Sequence, residues 1–173
     1  FRYAEQALLY LPRGLPEPKH PQYVEHLFET TLPVIQAAGG GVFFLFTSYQ
    51  MMHVVADRLR ETIDLPVFVQ GEASANELLK QFRDHGDAIL LGTYSFWEGV
   101  DVKGRALRCV IIDRLPFENP SDPILQAKLE LIKEQGQDPF ASHQIPLAVI
   151  TLKQGAGRLL RDAKLYEIGA GTS

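Results

Sequence analysis

A continuous apolar run, Val42–Phe46, constrains the fold of this chain more than any other stretch. Its sequence, VFFLF, shows no alternation of polar and apolar residues, so a strand built from it must be covered on both faces. Such strands occupy the centre of parallel sheets, where helices lie against both faces. The run therefore predicts an α/β fold with a mostly parallel sheet.

Further apolar runs alternate with segments of helical period. The predicted strands are 6–11, 42–46, 66–69, 88–91 and 107–113, and the predicted helices are 22–38, 49–62, 74–84, 121–134 and 146–161. Pro33 is expected to kink or split the first helix. Ser74, with Glu77 three residues later, is a capping box at the start of the third. Alternating strands and helices predict a doubly wound sheet with ligands at the carboxyl ends of its strands.

Composition limits the classes of function. With 173 residues, 46% of them hydrophobic, the chain can bury a full core. Its net charge of −4 gives no general attraction to nucleic acid, so any such contact must be local. Cys109 is the single cysteine, which excludes a disulfide framework and a thiolate cluster built from this chain alone. No signal peptide or membrane span is visible, and a cytoplasmic protein without membrane contact is expected.

The polar end of the last predicted helix carries an unusual set of side chains. If this segment is helical, Gln154, Arg158 and Arg161 lie at i, i+4 and i+7 and share one face. Gly155 and Gly157 each cost a helix interior about 0.5–1 kcal/mol relative to Ala, which suggests that a ligand or another surface comes close there. An amphipathic helix with solvated arginines is the alternative.

Two strand ends carry polar residues that could bind a ligand. Thr47 and Ser48 follow the apolar run, where hydroxyls and a helix N-terminus suit a phosphate, although a plain N-cap is equally consistent. The loop 93–104, TYSFWEGVDVKG, places Glu98 and Asp101 on either side of Gly99. These carboxylates could orient a ribose, a water molecule or an arginine, or belong to a solvated turn in which the neighbouring aromatic residues anchor the loop to the core.

Motifs of several other site classes are absent from the sequence. The glycines at 39–41 are followed by VFFL without GK[ST], so this chain has no P-loop for nucleotide phosphates. It also lacks HExxH and GxSxG, and its histidines stand apart from cysteine partners. No metal site is predicted.

Three ordered segments resemble motifs of superfamily two helicases. QGAGRLLR at 154–161 resembles motif VI, QxxGRxxR, while the loop at 92–104 resembles motif V and FLFTSY at 44–49 resembles motif IV. The form SFWEGVD followed by LPFENPSDP is similar to the DinG and XPD group, in its YoaA-like variant. The resemblance covers residues 1–162.

This resemblance implies a three-layer RecA-like domain, the second motor domain of an ATP-dependent 5′ to 3′ DNA helicase. In that family ATP lies between two RecA-like domains, and the first supplies the P-loop, the Mg²⁺-binding acid and an iron–sulfur module. ATP and Mg²⁺ would thus be shared with a first motor domain outside this sequence, and an iron–sulfur cluster is expected only there. Alone, the chain is expected to be inactive.

The resemblance also implies roles for individual residues and partners. The implied catalytic residues are Arg158 and Arg161, as arginine fingers, and Gln154; those beside the nucleotide are Glu98, Gly99, Asp101 and Gly157; those holding the single-stranded DNA backbone are Thr47, Ser48 and Thr93. The expected partners are single-stranded DNA, the first motor domain of the same protein, and replication or repair proteins.

The tail, residues 163–173, departs from the family pattern, which would continue into another apolar strand. From Arg161 onward it resembles a short stretch near the C-terminus of acyl-CoA dehydrogenases. Two alternatives to a motor domain follow: a non-catalytic α/β docking module derived from a helicase, and a flavin-dependent dehydrogenase fragment based on the tail alone.

Overall fold

A computed structural model of the chain describes residues 8–93, 96, 107–118 and 120–160, without the side chains of 153–160. The described residues divide into two compact units, one reaching to Asp113 and the other covering Arg114–Gly157. The first unit contains the sheet. Residues 1–7, which include the start of the strand predicted at 6–11, lie outside the described residues.

The described elements follow the predicted alternation closely. The strands are β1 (Val42–Phe46), β2 (Val67–Val69), β3 (Ile89–Thr93) and β4 (Cys109–Ile112), and the helices are α1 (Tyr23–Ala38), α2 (Tyr49–Thr62), α3 (Ala75–His85), α4 (Pro123–Glu134) and α5 (Ile145–Leu160). A π-helix, Phe140–Gln144, directly precedes α5 and was not predicted.

The strands form one parallel sheet in the order β2-β3-β1-β4. Val42 is in register with Ile89 on one side and with Cys109 on the other. All residues of β1 are fully buried, as expected for a central strand covered on both faces. The parallel α/β prediction is confirmed.

Helices cover both faces of this sheet. Phe44 and Phe46 stack at 4.3 Å between ring centroids and belong to the core formed with α1 and α2. Phe43 and Leu45 point to the opposite face because side chains alternate along a strand. There α3 packs on β2 and β3 and buries Leu78, Leu79 and Phe82. Burying each such side chain contributes about 1.5–3 kcal/mol, and the three layers match the predicted fold class.

At the amino end of the sheet, a glycine turn and an arginine align the strand starts. Gly40 has φ +98°, and a Cβ there would lie 2.6 Å from the carbonyl carbon of Asp87. Arg108 Nη2 donates to the carbonyl oxygens of Gly39 at 3.3 Å and Gly86 at 3.1 Å, and to the carboxylate of Asp87. These contacts join the segments that precede β1, β3 and β4.

The structure differs from the sequence pattern at two places. Pro33 lies inside α1 without splitting it, because the helix buries an apolar face that includes Leu27 and Ile35. That packing outweighs the hydrogen bond lost at the proline. Residues 8–11 form no strand, and Leu9 and Leu11 are 73% and 69% exposed. Apolar residues alone do not provide a neighbouring strand for hydrogen bonding.

The second unit contains α4, the π-helix and most of α5. Asp122 caps α4 by accepting from the backbone N–H of Ile124 at 2.8 Å, with Pro123 in the first turn. The rings of Phe117 and Phe140 lie 5.6 Å apart. Both helices predicted in this region are confirmed over the described residues, with small shifts at their starts.

Candidate nucleic-acid interface

The carboxyl ends of the parallel strands bring four polar residues to one edge of the sheet. Gln70 follows β2, Thr93 ends β3, Thr47 follows β1 and Asp113 follows β4. In the strand order β2-β3-β1-β4 they form a row. We call this row, together with Ser48 and Tyr49 directly after Thr47, the carboxyl edge. It is where ligands of parallel α/β sheets bind.

Asp113 fixes the turn that leaves β1. Its Oδ1 accepts from the backbone N–H of Thr47 at 3.1 Å, and its Oδ2 accepts from the Thr47 hydroxyl at 3.3 Å. The Asp113 carbonyl accepts from the Tyr23 hydroxyl at 3.2 Å. Thr47 is exposed, but its hydroxyl hydrogen points to Asp113 and must turn away before it can reach a phosphate oxygen.

Ser48 is better placed to donate outward. Its Oγ accepts from the backbone N–H of Met51 at 3.4 Å, so Ser48 is the N-cap of α2, as the alternative interpretation predicted. Since the oxygen accepts in this bond, the hydroxyl hydrogen can still donate to a phosphate oxygen. Capping and phosphate binding are therefore compatible at this residue.

Thr93 directs both of its donors into the protein. Its backbone N–H lies 2.6 Å from Gln70 Oε1, and its hydroxyl lies 2.9 Å from the same oxygen. Gln70 Nε2 in turn donates to the Tyr49 hydroxyl at 2.6 Å. Thr93 is buried, so the described geometry favours a role through Gln70 over a direct phosphate contact.

Sequence reasoning missed Gln70, Asp113 and Tyr49 as members of this edge. The rule that singled out Thr47 also applies to Gln70, which directly follows the strand Val67–Val69. What the sequence pattern lacked was the strand order, which brings residues far apart in the chain into contact.

Phe96 anchors the loop that follows β3. Its buried ring lies 6.2 Å from that of Phe43 in an edge-to-face arrangement. A Cβ on Gly92 would lie 3.1 Å from this ring, so the absence of a side chain on β3 lets Phe96 pack closely. The predicted anchoring is confirmed for Phe96. The remaining predicted site residues of this loop, Glu98, Gly99 and Asp101, lie outside the described residues.

The segment with the predicted arginine fingers is helical up to Leu160, as the spacing argument required. Gln154 and Arg158 are four residues apart on α5, so the two positions share one face of the helix. Gly157 also lies on α5, while Arg161 lies outside the described residues. The described geometry does not include these side chains, and their catalytic roles stay predictions.

Three further observations concern chemistry and location. Burial raises the pKa of the Cys109 thiol to about 11, so the thiol is protonated at neutral pH. Among the described residues, no group of three or more His, Cys, Asp or Glu residues is arranged to hold a metal ion. In the same part of the chain, no helix is long and apolar enough to cross a membrane.

Known proteins resemble this chain over nearly its whole length. ATP-dependent DNA helicase YoaA of Escherichia coli (strain K12) is 50% identical over 94% of the chain, and ATP-dependent helicase DinG of Mycobacterium tuberculosis is 37% identical over 93%. The chain spans about a quarter of each relative, 26% and 24%.

A solved structure of an XPD helicase has the same fold. It superposes with a TM-score of 0.58 over 90% of this chain and 27% of its own length, at 21% sequence identity. The sequence profile of the helicase C-terminal domain matches residues 31–167, which include the carboxyl edge and helix α5. The chain therefore belongs to the helicase C-terminal domain family, with YoaA and DinG helicases among its relatives.

Proposed function

We propose that this chain is the second motor domain of an ATP-dependent 5′ to 3′ DNA helicase, with residues 1–162 as the domain. The observation that carries the proposal is the family match, which extends over both the carboxyl edge and α5. The relatives' names, ATP-dependent DNA helicase and ATP-dependent helicase, support the reaction. In this proposal the chain works only with a P-loop domain of the same protein, and that domain also carries any iron–sulfur cluster.

For ATP hydrolysis, α5 supplies positive charge to a nucleotide held by the first domain. Arg158 and Arg161 stabilise the charge that develops on the transferred phosphoryl group, and Gln154 senses the γ-phosphate. Gly157 has no side chain, which lets the nucleotide come close to the backbone of α5. An arginine finger of this type contributes about 10³–10⁵ in rate. The carboxylates of the loop after β3 couple the nucleotide to DNA, and Mg²⁺ is held mainly by the first domain.

For DNA binding, the carboxyl edge holds the backbone of a single strand. Ser48 donates to a phosphate oxygen, Thr47 joins when its hydroxyl turns from Asp113, and Thr93 supports the edge through Gln70. Such contacts follow the backbone and read no sequence. Closure of the two motor domains on ATP and reopening after hydrolysis move this edge along the strand. The protein acts in the cytoplasm, with replication or repair proteins as partners.

The test uses the full-length protein and the substitution Arg158→Ala. We expect DNA-stimulated ATP hydrolysis to fall by about 10³-fold or more, because the phosphoryl charge loses its stabilising guanidinium. Binding of a fluorescent ATP analogue should persist. The matched control is Arg83→Ala, which removes an exposed arginine from the last turn of α3.

If Arg158→Ala hydrolyses ATP at the rate of the Arg83→Ala control, the finger assignment is wrong. If the unsubstituted full-length protein also shows no DNA-stimulated hydrolysis, the non-catalytic docking module becomes the better hypothesis. ATP hydrolysis by the unsubstituted protein distinguishes the two outcomes, because it is present in the first and absent in the second.

A further inference from the structure

Tyr49 presents a half-exposed aromatic ring at the carboxyl edge. The residue begins α2, directly after Thr47 and Ser48, and is 51% exposed. Its ring is thus not part of the core. The Tyr49 hydroxyl nevertheless has a defined partner, Gln70 Nε2, at 2.6 Å. An aromatic side chain that is half exposed and hydrogen-bonded at its hydroxyl can offer its ring to a flat ligand.

Gln70 is itself held in one orientation. Its side-chain oxygen accepts two hydrogen bonds from Thr93, at 2.6 and 2.9 Å, and its backbone N–H donates to the Leu91 carbonyl at 2.9 Å. With the oxygen facing two donors, the amide nitrogen must face Tyr49. The position of the Tyr49 ring is therefore linked through Gln70 to the end of β3.

We infer that Tyr49 stacks on a base of the single strand whose backbone is bound beside it, and that Gln70 is a positioning residue for its ring. This inference rests on the proposed function, because it assigns a base contact to the same edge. Single-strand binding sites combine backbone contacts with aromatic stacking, which every base can satisfy. A ring already held by a hydrogen bond loses little conformational freedom when a base stacks on it.

The buried Thr93 thus holds the Gln70 side chain, which in turn holds the tip of the Tyr49 ring. Thr93 ends β3, and the loop that resembles motif V follows it directly.

The experiment measures binding of a fluorescent oligothymidylate to the full-length protein at fixed salt. Tyr49→Ala should weaken binding by roughly 10- to 100-fold. Tyr49→Phe keeps the ring and should bind closer to the unsubstituted protein than to Tyr49→Ala. The matched control is Val54→Ala, which removes another exposed apolar side chain from α2 and should leave affinity unchanged.

A set of oligonucleotides with one abasic nucleotide at successive positions identifies the stacked base. At one position, the missing base should weaken binding to the unsubstituted protein. The same missing base should have no effect on binding to Tyr49→Ala, since its stacking partner is then already gone. Gln70→Met should weaken binding in the unsubstituted background and add nothing to Tyr49→Ala. A purely structural role of Gln70 would instead add its effect in both backgrounds.

Equal losses for Tyr49→Phe and Tyr49→Ala would overturn the stacking role, because the hydroxyl and not the ring would be the contact. The stacking role would also be overturned if an abasic nucleotide lowered affinity equally in the unsubstituted protein and in Tyr49→Ala. If the unsubstituted full-length protein does not bind the oligonucleotide, the proposed function fails as well. Normal binding with an unaffected Tyr49→Ala rejects this inference alone.

Discussion

At the scale of single residues, two adjacent glycines should differ sharply in what they tolerate. Gly39 and Gly40 both have positive φ, +63° and +98°, but only Gly40 faces backbone atoms at 2.6 to 2.8 Å. Gly39→Ala should cost about 1 kcal/mol for the left-handed conformation. Gly40→Ala should cost at least 2 kcal/mol more, on the order of a steric clash in a packed core. Urea unfolding of the two variants measures the difference, and equal midpoints would contradict the predicted clash with Asp87.

Cys109 should react slowly with alkylating reagents in the folded chain. Burial raises its pKa from 9.0 to about 11, so the thiolate fraction at pH 8 falls by about 100-fold. Iodoacetamide labelling followed by mass spectrometry measures the rate, and the same chain in urea is the control. Similar labelling rates in the folded chain and in urea would mean that the thiol is accessible.

The raised pKa of Cys109 also affects stability. Because the folded pKa is raised, this group's contribution to stability is full below pH 9 and is lost as the pH rises towards about 11.

At the scale of elements, the local sequence pattern predicted helix and strand bounds correctly where the apolar pattern and the capping residues indicate the same bounds. The prediction for α2, 49–62, matches Tyr49–Thr62, because Ser48 supplies the cap and the helix buries a regular apolar stripe. The strand at 42–46 was equally clear from its continuous apolar sequence. The strand prediction failed at residues 8–11, and Pro33 did not split α1. Both outcomes depend on packing against, or pairing with, distant parts of the chain.

Two helix caps provide a matched pair that separates stability from DNA binding. Ser48 and Ser74 accept from backbone N–H groups at 3.4 and 3.3 Å, at the starts of α2 and α3. Replacing either serine with alanine should cost about 1 kcal/mol in thermal unfolding. Only Ser48→Ala should also weaken binding of single-stranded DNA to the full-length protein, because only Ser48 lies at the carboxyl edge. An equal loss of affinity for Ser74→Ala would show that capping alone explains the effect.

At the scale of the whole molecule, the sheet order decides which residues meet, and the sequence pattern did not contain it. Gln70 lies 23 residues from Thr93, and Thr47 lies 66 residues from Asp113, yet both pairs are hydrogen-bonded across the sheet. Periodicity identified the strands but not their neighbours. The strand-end residues Thr47, Ser48 and Thr93 were thus found individually, whereas Gln70, Asp113 and Tyr49, which hold or extend them, required the topology.

The net charge of the chain leads to a prediction about the salt dependence of its DNA binding. A net charge of −4 repels phosphates overall, and the proposed backbone contacts at the carboxyl edge are neutral hydroxyls. Neutral donors release no counterions, whereas each lysine or arginine contact to a single strand changes the slope of log K against log salt by about 0.7. We therefore expect Thr47→Val combined with Ser48→Ala, in the full-length protein, to lower affinity at every salt concentration without changing this slope. Titrations between low and high salt measure it, with Ser74→Ala as the control. A slope reduced by about 0.7 or more would mean that the carboxyl edge works by orienting a basic side chain and that its hydroxyls are not themselves the contact.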